Sequence, residues 1–129
     1  LDRIDLHVEV TPVSFDELTY DVPSECSKTI RERVIEARKI QILRYQNSKT
    51  HCNAQMQRRE QLTYCAINED GKTLLKNAMD RLGLSARAYD RILKVARTIA
   101  DLEGEEKIGL PHLSEAIQLR SLDRETWAG

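Results

Sequence analysis

Apolar and polar positions alternate one for one over residues 4–10, with Ile4, Leu6, Val8 and Val10 on one side and Asp5, His7 and Glu9 on the other. A period of two predicts a half-buried strand, and the chain has no second signal of this strength. Pro12, Pro23 and the mixed stretch between them read as a connector. Beyond it the period lengthens to that of a helix. Ser24 can cap a long one in which Ile30, Val34, Ala37 and Gln41 share a face, ending near Tyr45. Asn47, Ser48, Thr50 and Asn53 have loop chemistry. A short polar helix is expected over 54–62 and another over 72–82, with Leu74, Leu75, Ala78, Met79 and Leu82 as its buried side. Gly83 suits the left-handed position that ends a helix, and Ser85 can cap the next almost at once. That helix, 86–103, aligns Tyr89, Ile92, Ala96 and Ile99 on one face and Arg87, Arg91 and Lys94 on another, until Gly104 stops it. A last helix begins near Pro111 and carries Leu113, Ala116, Ile117 and Leu119.

The chain has 129 residues, enough for one domain, and its 40% hydrophobic, 5% aromatic and 32% charged composition fits a helix-rich protein better than a β-sandwich. The net charge of -1 predicts no general attraction to nucleic acid or membrane. Its distribution adds more. Residues 1–23 hold six acids and one base, residues 24–64 nine bases and four acids, and the remainder is nearly balanced, so a local basic surface is available. Three cysteines, Cys26, Cys52 and Cys65, with neither a signal-like start nor a long apolar run, point to a reducing, cytoplasmic setting without membrane contact.

Nucleotide chemistry needs a glycine-rich loop ending in Lys and Ser or Thr. Gly104 and Gly109 have that separation, but Leu110 and Pro111 follow them, and no strand ends in an acidic pair for magnesium. His51, Cys52 and Cys65 lack a fourth ligand and the spacing of a closed metal site, so no metal is assigned. A Cys–His nucleophile has no orienting third group. The short joint from Leu82 to Ser85 resembles that of a helix-turn-helix, with 86–103 as recognition helix, although Asp90 and Asp101 sit among its bases. Arg87, Arg91 and Lys94 have a solvated face as their ordinary reading. The same holds for the basic segment 24–64, in which Arg31, Arg38, Arg58 and Arg59 could together meet phosphate.

Three stretches taken together resemble the C-terminal part of the magnesium-chelatase-like AAA+ ATPases, nearest their competence-protein branch. They are residues 1–10 (LDRIDLHVEV), Ile30 to Val34 with Ala37, Arg38 and Gln41, and residues 84–102 (LSARAYDRILKVARTIADL) followed by His112, Leu113, Ala116, Ile117 and Arg120. The resemblance implies a mainly α fold, a helical lid bundle over 24–129, with 1–23 as the last strand and linker of the ATPase core. It implies that Arg3 is an arginine finger acting in trans on a neighbouring subunit's nucleotide. It implies that Arg87 is the sensor-2 residue on the γ-phosphate and thereby binds the nucleotide. The chain, opening at Leu1 partway through a motif, is expected to be a piece of a longer protein. That protein would use ATP and Mg2+, though this piece alone would bind neither, and would partner its own N-terminal AAA+ core in a homo-oligomeric ring, a hexamer, acting on DNA as a branch-migration helicase. The alternatives are a subunit of a metal chelatase and a stand-alone helix-turn-helix DNA-binding module.

Overall fold

In the computed structural model, which describes residues 4–8 and 25–120, five α-helices and one 3-10 turn follow in order. They are α1 (Ser27–Arg44), the 3-10 turn (Asn53–Gln55), α2 (Arg58–Tyr64), α3 (Glu69–Leu82), α4 (Ala86–Leu102) and α5 (Leu110–Gln118). The described part is therefore mainly helical, as a helical lid domain should be, and no strand occurs among the described residues.

Local chemistry sets most boundaries. The Asn68 side chain accepts from the Gly71 amide at 2.8 Å, and Glu69 and Asp70 place negative charge in the first turn of α3. Gly83, at φ 62°, closes that helix in the left-handed region. Two residues later the Ser85 hydroxyl accepts from Ala88 N at 3.1 Å and opens α4. Gly104, at φ 72°, ends the turn after α4. Pro111 sits in the first turn of α5, where its missing N–H costs nothing. Helix α1 begins later than the pattern suggested. Cys26 occupies its N-cap position without a side-chain cap to the backbone, and Ser24 lies outside the described residues. The expected helix over 54–62 divides into the 3-10 turn and α2, because Met56 takes an extended conformation between them.

Helix α4 is the centre of the bundle and packs against α5, α1, the 3-10 turn and α2, while α5 also packs on α3. Ile92, Leu93, Ala96, Leu75, Leu113, Ala116, Ile108, Met56, Cys65 and Tyr45 form one continuous core. The expected face of α1 is buried only in part: Ala37 and Gln41 are covered, whereas Ile30 and Val34 remain exposed. Residues 4–8 form no strand pairing among the described residues; Ile4, Leu6 and Val8 are 49%, 47% and 67% exposed. Residues 9–10, the rest of the expected strand, lie outside the described residues. The three cysteines are free. No described helix is long and apolar enough to cross a membrane.

Candidate functional site

Arg87 occupies the second position of α4, one residue after the Ser85 cap and Ala86. Its backbone is fixed from both sides, by the Ser85 hydroxyl and by the Leu84 amide, which donates back to Met79 O at 3.1 Å. The residue is exposed. The first turn of α4 contains no acidic residue, and its leading amides have no partner within the helix, so this end carries positive potential. A guanidinium here gains nothing from the helix dipole. Its placement is instead suited to an anion that approaches the end of α4 from solvent.

The basic stripe that continues from Arg87 is not a uniform surface. Arg91 donates to the Asp5 carboxylate, and Lys94 Nζ reaches the carbonyl of Ala54 at 3.3 Å. Arg120 is fully buried, at 0% exposure, and its Nη1 donates to the carbonyl of Ile4, while the His7 amide donates to Leu119 O at 2.6 Å. Residues 4–8, which directly follow Arg3, are thus tied to α4 and the end of α5. Arg3 itself lies outside the described residues.

Of the four expected phosphate contacts, Arg31 and Arg38 are exposed on α1. A spacing of seven residues brings them to one side of the helix, about 10 Å apart along its axis. Arg58 and Arg59 are exposed in the first turn of α2, and Arg59 lines a polar cleft with Lys49, His51 and Glu60. Among the described residues none of the four guanidiniums enters an ion pair. No hydrogen bond brings the α1 pair and the α2 pair together. Glu60 is engaged locally, accepting from Thr50 Oγ1 at 2.6 Å, Ser48 Oγ at 2.9 Å and the Gln57 amide at 3.1 Å. The Thr50 hydroxyl above all, with the Gln57 amide, holds its carboxyl below the ordinary range.

Sequence reasoning missed a buried polar network on the other side of α4. Asp101, 2% exposed, receives both terminal nitrogens of Arg44, at 2.8 and 2.7 Å, Arg97 Nε at 3.2 Å and Asn53 Nδ2 at 2.8 Å. Arg97 also donates to the carbonyls of Glu105 and Glu106 at 2.6 and 2.8 Å, so it pins the turn after α4. Asn53 Oδ1 accepts from Arg44 at 3.0 Å and from Tyr45 OH at 2.7 Å. Burial above all raises the Tyr45 hydroxyl to about 12 and the Cys65 thiol to about 11. The signal was present: Leu93, Arg97 and Asp101 step by four along a row that begins in the core, which places an ion pair on a buried stripe. His51 is exposed, Cys52 half-buried and Cys65 buried beside Met56 Sδ at 3.9 Å. Among the described residues no three His, Cys, Asp or Glu side chains gather as a metal site.

Residues 24–120 match the sequence profile of the family described as magnesium chelatase, subunit ChlI C-terminal. The competence protein ComM of Haemophilus influenzae is 42% identical over 126 residues, covering 96% of this chain and 24% of that protein. Proteins called YifB in Salmonella typhimurium and Escherichia coli are each 40% identical over 96% of this chain and again 24% of their own length. The chain therefore spans about a quarter of these curated relatives.

Proposed function

The chain belongs to the magnesium chelatase ChlI C-terminal family, and from that premise we propose that it is the lid of a ring-forming AAA+ ATPase whose Arg87 meets the γ-phosphate of ATP. The observation that carries this reading is the position of Arg87, exposed in the first turn of α4, at the positive end of a helix whose first turn holds no acidic residue. ATP with Mg2+ supplies the phosphoryl group when bound. Arg87 contributes a permanent, planar set of donors that holds negative charge as it accumulates during transfer. Residues 1–23 are read as the last strand and linker of the core, which puts Arg3 at a subunit boundary as the finger acting in trans; such a residue is worth roughly 10³ to 10⁵ in rate. In this reading the phosphate loop and the magnesium carboxylates are supplied by the core.

In the whole protein we read the substrate as DNA, in a branch-migration motor working as a hexameric ring in the cytoplasm. The exposed Arg31 and Arg38 on α1, with exposed Arg58 and with Arg59 in the cleft that Lys49 also lines, support backbone contact of the kind that depends on salt. A recognition-helix role for α4 is disfavoured by packing, since only Ala86, Arg87 and Leu102 of its 17 residues are exposed and a groove-reading helix needs a free face. Metal insertion, the activity named in the family's description, remains the competing substrate assignment. The test is ATP turnover of the whole protein with and without branched DNA. Arg87→Ala should abolish most turnover while leaving ring assembly intact, and normal turnover in that variant would remove the role assigned to Arg87. Stimulation by a porphyrin and its partner subunits, with none by DNA, would transfer the motor to the chelatase reading.

A further inference from the structure

A cleft of about 830 Å³ opens between the end of α1, the joint from α2 to α3 and the turn after α4. Its volume lies within the range typical of small-molecule sites. Arg44 lines it, and its side chain is 11% exposed. The guanidinium is held firmly: its two terminal nitrogens grip Asp101 end-on, and the remaining Nη1 hydrogen goes to Asn53 Oδ1. That leaves Nε–H and the second hydrogen of Nη2, which point the same way along one edge of the plane and have no acceptor among the described residues. Two parallel donors on a fixed plane match the two oxygens of a carboxylate. Arg44, Arg97 and Asp101 together carry one positive charge in excess, which favours an anion at the inner end. The Arg44 Cζ lies 5.5 Å from the ring of Tyr64, which also lines the cleft, as do Ile40 and Ile67. Glu105 and Glu106 line it too, but both are exposed, with Lys107 beside them.

We propose that this cleft binds a small organic acid, its carboxylate pairing side-on with Arg44 and its apolar body lying against Ile40, Ile67 and Tyr64. The site is distinct from Arg87 and does not depend on the lid reading. A rigid, partly desolvated guanidinium edge favours a planar carboxylate, and the aliphatic walls add affinity only when the ligand brings methylenes to bury. The experiment is an NMR titration of the 129-residue chain with hexanoate and, separately, with inorganic phosphate, read at the Arg44 Nε–H and the Ile40 and Ile67 methyl signals. Hexanoate should produce saturable shifts at all three, with half-saturation about tenfold or more below that of phosphate, the gain expected from burying two or three methylenes. Arg44→Lys keeps the charge but removes the edge and should weaken hexanoate about tenfold or more. Should that variant fail to fold, Ala66→Glu places a repelling charge at an exposed position on the cleft wall and should weaken hexanoate several-fold. The proposal is overturned by shifts that do not saturate, by phosphate binding as well as hexanoate, or by Ala66→Glu binding hexanoate unchanged.

Discussion

At Asp101 two guanidiniums and a carboxamide converge on one buried carboxylate, which with Asn53 and Arg44 joins α1, the 3-10 turn and α4. Replacing it by alanine strands two cations, which in comparable buried pairs costs about 3–5 kcal/mol. Asp101→Ala should therefore lower the urea midpoint drastically, and a variant as stable as the parent would contradict the network's role. Glu60 gives a pH signature. Its carboxyl is held below its ordinary value of 4.5, so it contributes stability that is present above that value and lost as the pH falls through the depressed one. Glu60→Gln should be less stable than the parent at pH 7, with the difference closing in acid. Cys65 acts oppositely. Raised from 9.0 to about 11 by burial, its neutral thiol supports the fold below pH 9, and that support is lost as the pH rises toward 11. A thiol reagent at pH 8 should accordingly label exposed Cys26 quickly and Cys65 only on unfolding. The burial of Asp101 was hard to read from sequence because an aspartate looks solvated until its cations are located, and Arg44 lies far away along the chain.

Helix boundaries were legible wherever the deciding chemistry is local. Gly83 and Ser85 announce the joint between α3 and α4 because a left-handed residue and a side-chain acceptor act within three or four residues of themselves. Ser85→Ala should cost about 1 kcal/mol, visible as a lower melting temperature, and Gly83→Ala a similar amount from the strain at φ 62°. Equal stability in both variants would mean that tertiary packing alone fixes the joint. The start of α1 was less legible, since its exposed Ile30 and Val34 mimic a core-facing row. The split between the 3-10 turn and α2 escaped for another reason: the contact that requires it is Asn53 reaching across to Asp101 and Thr98.

For the whole molecule, the family and the helical fold could be read from the long match over 84–102, but the proposed site could not be closed, because the finger role proposed for Arg3 would put its target on a neighbouring subunit. In the whole protein, mixing Arg3→Ala subunits with subunits disabled in their own phosphate loop should restore part of the turnover; intact rings with no recovery would refute action in trans. The 129-residue chain alone should show no turnover above background. The attachment of α1 has a mechanical consequence. Every residue over 27–36 is exposed, while Ala37 is buried, Gln41 accepts from the Asn53 amide and Arg44 grips Asp101 of α4, so the far end is fixed. The helix is thus a cantilever, riveted at one end, with a free boom of about 15 Å. Amide exchange should run faster along the boom than over 38–44. A small tilt of α4 would swing the tip through several times the displacement at the rivet, so Arg31 near the tip would travel farther than Arg38 beside the clamp.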